Sequence, residues 1–186
     1  MASLPNSKTV TYDEWLRLPE VTDAIEEVVD GQIILMPPAK SAHARIVARL
    51  IRPFMIRLDP KRYDIVSGSF GLVIRESPLT SRVPDVAVFD IETVVERDGY
   101  YRSAPQLLVE VLSPANSRRE MQRKIADYAS IGVPEMWIVS PEERTVEVLQ
   151  LRDGSRLERS AIQTEGTLSP RLIPGVRIDI FAIWPD

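Results

Sequence analysis

The run Leu107-Leu108-Val109-Glu110-Val111-Leu112 constrains this chain more than any other segment. Apart from Glu110 it is wholly apolar, the pattern of a central strand buried on both faces. A carboxylate buried alone costs several kcal/mol or stays protonated. Glu110 therefore needs a cation: a divalent metal, an arginine or a lysine. Asp85, within Val83-Pro84-Asp85-Val86-Ala87-Val88-Phe89, raises the same question. Two such acids on neighbouring strands can share a hard cation, and magnesium takes one or two carboxylates together with waters and phosphate oxygens. A structural salt bridge, or an acid that reaches solvent at a strand end, answers the same pattern. From the pattern alone, the metal and the salt bridge stand level.

The 186 residues fit one domain with a full core, and a single domain over 1–186 is expected, with 1–10 as a loose N-terminal segment. No apolar run approaches the ~18 residues that cross a bilayer, so no membrane association is expected. Met1 to Val10 lacks a basic segment followed by an apolar one, the mark of a secretory signal. The absence of cysteine excludes disulfides and thiolate metal sites. A cytoplasmic location is the expectation. The net charge of -4 runs against the basic face usual in nucleic-acid binders. A site built of carboxylates adds negative charge, however, and local basic stripes can still meet phosphates.

Periodicity orders the rest. Thr11 precedes a short helical stretch, Tyr12 to Leu18. Glu26 to Met36 reads as a hairpin with its turn at Asp30-Gly31, a strong two-residue turn signal. Ser41 to Leu58 reads as a helix with an apolar stripe of Val47, Leu50, Ile51, Phe54, Met55 and Leu58. Pro53 within it predicts a kink or break near Arg52. Tyr63 to Ile74 is a glycine-interrupted strand or pair of strands, Val83 to Phe89 a strand, and Gln106 to Leu112 another. Ser117 to Ile131 is the clearest helix. Ser117 and Glu120 open it as a capping box, and Gly132 and Pro134 end it. Glu135 to Val139 and Thr145 to Leu151 are strands, and Val176 to Ile180 a last one. Strands before, between and after two main helices predict an α/β domain with a mixed β-sheet flanked by helices.

Three further sets of residues bear on chemistry. Lys124 falls on the flank of its helix's apolar arc, beside Tyr128, where it reaches a cleft or snorkels over apolar surface. His43, the one histidine, lies on the apolar side of its helix in the first turn, the place of a core residue, a cap or a pocket residue. Arg45, Arg49 and Arg52 lie opposite the apolar stripe. Arg118, Arg119 and Arg123 cluster near Lys124, where they can neutralise nucleic-acid backbone.

Pro84-Asp85, then Leu108-Val109-Glu110-Val111-Leu112-Ser113-Pro114, Lys124, Tyr128, Gly132-Val133-Pro134-Glu135 and Trp137-Ile138-Val139 resemble, in this order, the Uma-two family. These are restriction-endonuclease-like proteins of the PD-(D/E)XK nuclease superfamily. Glu27-Val28-Val29-Asp30-Gly31, Pro37-Pro38 and His43 match the family's opening. The resemblance spans about residues 10 to 180. It implies a restriction-endonuclease-like core and an Mg2+ (or Mn2+) ion held by Asp85 and Glu110. It implies an early acid at Glu27 that often joins the site, a pocket place for His43, and hydrolysis of nucleic acid, with DNA foremost. The superfamily's usual lysine position, two after the second acid, holds Leu112 here. The resemblance implies that Lys124 supplies the amine from the next helix. Leu112 also motivates the alternative, a nuclease-fold domain that binds nucleic acid or a partner protein without cutting. By analogy with nucleases that address two strands, a homodimer is expected.

Overall fold

The computed structural model describes residues 9–68, 70–114, 117–152 and 156–185. Of the loose segment expected over residues 1–10, positions 1–8 lie outside the described residues. Helix α1 (Tyr12–Trp15) opens on a full capping box between Thr11 and Glu14, and is shorter than expected because the chain passes into turns after Trp15. Strands β1 (Ile25–Val29) and β2 (Gln32–Met36) form the expected hairpin, with Val29 paired to Gln32. Both turn residues take positive φ, Asp30 at 51° and Gly31 at 77°. That conformation matches the twist of a two-residue hairpin. A Cβ at Gly31 would also meet Thr9 Cβ at 2.7 Å, so the position needs glycine twice over.

Helix α2 (Ser41–Arg57) runs through Pro53 without a break. Its buried face is Ile46, Leu50 and Phe54, flanked by half-buried Val47 and Ile51. Met55, expected in the stripe, is 66% exposed. At about 100° per residue it falls just past the edge of the arc that the other five residues share. Strands β3 (Tyr63–Ser67), β4 (Leu72–Glu76), β5 (Leu79–Arg82) and β6 (Val86–Asp90) follow, with the short pair β7 (Glu96–Arg97) and β8 (Tyr100–Tyr101). The expected strand at Val83 thus begins three residues later, after Pro84 and Asp85.

Strand β9 (Leu107–Val111) leads into α3 (Arg118–Ser130). Ser117 Oγ caps the helix by accepting the Glu120 N–H at 3.1 Å, which is one half of the expected capping box; among the described residues the return bond from the Glu120 side chain is not formed. Gly132, at φ 88°, ends it: Gly132 N–H bonds the Ala129 carbonyl and Val133 N–H the Tyr128 carbonyl, a Schellman pair. Strands β10 (Glu135–Ser140), β11 (Thr145–Arg152), β12 (Arg156–Gln163), β13 (Thr167–Leu168) and β14 (Ile178–Asp179) and the short helix α4 (Ile180–Ile183) complete the chain. The expected tail strand is therefore cut to two residues, and Ile180 begins a helical turn.

These strands divide between two mixed six-stranded sheets and one two-stranded sheet, where the sequence suggested a single mixed sheet. The first runs β2-β1-β5-β4-β8-β7; the second runs β12-β11-β10-β9-β6-β3. In the second sheet β9 and β10 are parallel, joined by the crossover through α3. Side chains alternate along β9: Leu107, Val109 and Val111 pack with α2, while Leu108 packs with Met121, Tyr128 and Ala129 of α3. Glu110, at the next position in that alternation, faces α3.

Candidate active site

Glu110 is 5% exposed and faces Lys124, itself 4% exposed, across the gap between β9 and α3. Lys124 Nζ stands 3.1 Å from Glu110 Oε1 and 3.0 Å from Oε2, and Tyr128 donates its hydroxyl to Oε1 at 2.6 Å. The spacing explains the pairing. Residues 124 and 128 are one turn apart on the same helical face, so both reach one carboxylate. Burial pushes the Glu110 carboxyl up to about 7; Lys124 and Tyr128 pull it down, while the charges of Asp85 and Glu27 push it further up.

Asp85 sits at the same end of the sheet. Val86 pairs with Val109 in the antiparallel ladder of β6 and β9, so one step further sets Asp85 across from Glu110. Asp85 Oδ2 accepts the Val111 N–H at 2.6 Å. His43, from the first turn of α2, brings Nε2 to 3.3 Å from the same oxygen and 3.1 Å from the Val111 carbonyl. Both neighbours are acceptors, so Nε2 carries the proton, and Nδ1 is buried without a hydrogen-bond partner among the described residues. The bond to Asp85 raises the His43 pKa against burial, which lowers it.

Glu27 is fully buried on β1. Its Oε1 meets Lys124 Nζ at 2.9 Å and accepts the Val83 N–H at 3.1 Å; its Oε2 accepts from Arg82 Nη1 at 2.8 Å. Burial would raise the Glu27 pKa, but Lys124 and Arg82 outweigh it and hold the carboxyl below its ordinary range. Lys124 responds in kind: burial works against its charge, and Glu110 and Glu27 overcome it, so the ammonium persists well into the alkaline range. Arg82, 1% exposed, also donates Nε and Nη2 to Asp127 Oδ2 at 2.8 Å and 2.6 Å. The result is a chain of alternating charge, Asp127–Arg82–Glu27–Lys124–Glu110, that joins both six-stranded sheets to α3.

Arg82 and Asp127 escape the sequence reading. Arg82 ends Leu79-Thr80-Ser81-Arg82, which lacks an apolar alternation although all four residues are buried. The available signal was Glu27 itself, an acid in an apolar hairpin strand that needs a cation for the reason given for Glu110. The structure brings together Asp85, Glu110, Lys124, Tyr128, Glu27 and His43. Arg118, Arg119 and Arg123 lie exposed on the outer side of α3. Of the other arginine set, Arg45 bonds Ser41 in its own helix and Arg49 donates to the Trp184 carbonyl.

Asp85 and the Val111 carbonyl, both against His43 Nε2, and Glu110 at the facing register position are hard oxygen donors, the type that magnesium, manganese or calcium takes. Among the described residues no three His, Asp or Glu side chains are already arranged as a metal cage. Two carboxylates with a carbonyl and waters meet the lower demand of magnesium. In donor type these residues fit the ion.

The architecture belongs to the restriction-endonuclease-like α/β class. It matches the crystal structure of a protein titled a putative nuclease belonging to DUF820, from Anabaena variabilis, with a TM-score of 0.76 and 22% identity, over 94% of this chain and 97% of that one. Residues 12–180 match the family described as "Uma2: Putative restriction endonuclease", and the chain belongs to that family. A curated relative, an uncharacterized protein named sll1609 from Synechocystis, is 26% identical over 132 residues, 70% of this chain and 74% of its own length.

Proposed function

We propose that this chain is an endonuclease that needs a divalent cation, Mg2+ or Mn2+, and hydrolyses phosphodiester bonds of nucleic acid, DNA foremost. One observation carries the reading: the buried Glu110 is flanked by Lys124 and Tyr128 and stands across the ladder from Asp85. Asp85 and Glu110 would hold the cation, which would supply Lewis-acid polarisation of a phosphoryl oxygen and a water of lowered pKa. Lys124 supplies a fixed positive charge where negative charge grows in the transition state, and Glu27 keeps that ammonium in place. Tyr128 and His43 orient Glu110 and Asp85 through the hydrogen bonds described. Arg118, Arg119 and Arg123 neutralise backbone phosphates on the exposed side of α3.

A homodimer that addresses two strands and a cytoplasmic location belong to the same reading. Among the described residues no helix is long and apolar enough to cross a membrane.

The test is incubation with supercoiled plasmid and with single-stranded DNA in magnesium or manganese. The expected result is cleavage that Asp85→Ala and Glu110→Ala each abolish. Leu112, half-buried where the superfamily carries its lysine, favours a second reading, a domain that binds without cutting. Retained DNA binding with no cleavage of any substrate would establish it.

A further inference from the structure

The geometry points to a site that takes one divalent cation, with the Lys124 ammonium standing where a second would bind. This rests on the metal-dependent reading above. Two-metal phosphodiesterases place two cations about 4 Å apart, bridged and flanked by carboxylates. Here the bay between Glu110 and Glu27 is already filled. Lys124 Nζ lies 3.0 Å and 3.1 Å from the Glu110 oxygens and 2.9 Å from Glu27 Oε1, so its three donors are committed to two carboxylates.

Glu27 is fully buried, with Oε2 taken by Arg82 and Oε1 by Lys124 and the Val83 N–H. Arg82 is locked in turn by Asp127.

Lys124 thus does two jobs. It supplies the positive charge that a lysine at position 112 would otherwise give, and it occupies a cation position. Glu27 and Arg82 are positioning residues that hold it there.

Manganese stoichiometry tests this by calorimetry and by electron paramagnetic resonance of the bound ion. The wild type should bind one Mn2+ per chain and show the spectrum of an isolated ion. Lys124→Met, which keeps the length and removes the charge, should admit a second Mn2+ and show a spin-coupled pair. Lys124→Arg, which keeps the charge, should stay at one. Two Mn2+ per wild-type chain would overturn the inference and leave the metal-dependent reading standing. No Mn2+ on the wild type would remove the reading itself. A folded Lys124→Met with one uncoupled Mn2+ would also overturn the inference, and if that variant fails to fold, the wild-type count alone decides.

Discussion

Lys124 on α3 and Glu110 on β9 meet at 3.0 Å and 3.1 Å in the interior, each side chain at most 7% exposed. The contact joins the helix to the central strand at the position where the sequence demanded a cation. If it serves catalysis, Lys124→Met should lower single-turnover cleavage by about 10²-fold or more, the scale of losing one charge-stabilising donor. The measurement is made at a cation concentration that fills one site. A rate within a factor of two of wild type would remove Lys124 from the reaction.

Arg82 is the anchor of the buried charges. Arg82→Met leaves Glu27 with one cation in place of two and cuts Asp127 loose. Breaking a buried pair from one side costs about 3–5 kcal/mol. Chemical denaturation should show that loss, and because the charge chain spans both large sheets, the wild type should unfold in one transition. Two separated wild-type transitions would show that the sheets are not coupled in this way.

His43 orients Asp85 through its Nε2–H. Residues that orient a metal ligand typically contribute 10–100-fold to metal affinity. His43→Ala should therefore weaken Mn2+ binding by roughly that factor in calorimetry, with the stoichiometry unchanged. Unaltered affinity would assign His43 to packing alone.

Two buried glutamates should show opposite pH signatures. The Glu27 pKa is held below its ordinary 4.5, chiefly by Lys124 and Arg82 against the cost of burial. Its contribution is present above pH 4.5 and lost as pH falls toward its folded value. Glu135, 1% exposed and bonded by the Trp137 Nε1–H and the Arg171 N–H at 2.7 Å each, is raised by burial. Its contribution is full below pH 4.5 and lost as pH rises through its folded value. The stability gap between wild type and Glu27→Gln should narrow on acidification below pH 4.5. The gap for Glu135→Gln should narrow as pH rises above 4.5. Parallel pH profiles would contradict both assignments.

Local pattern made much of this architecture legible. The apolar run of β9, the Asp30-Gly31 turn and the caps of α3 at Ser117 and Gly132 each act within a few residues, and each stands where expected. What the sequence hid is non-local. The split of the strands between two large sheets depends on pairings such as Val28 with Ser81, far apart in the chain. The same holds for the site. Lys124 was readable as a flank residue near a cleft, but its second partner, Glu27, comes from the first hairpin. Arg82 was invisible because Leu79-Thr80-Ser81-Arg82 resembles a polar loop until Glu27 and Asp127 are seen to bury it.

A crystal structure of the protein soaked with manganese tests the central claim most directly, through the anomalous signal of the ion. The account predicts one Mn2+ within about 2.5 Å of carboxylate oxygens of both Asp85 and Glu110, with Lys124 Nζ still beside Glu110 and Glu27. A fully loaded crystal with no manganese at that pair, or with manganese only elsewhere, would contradict it.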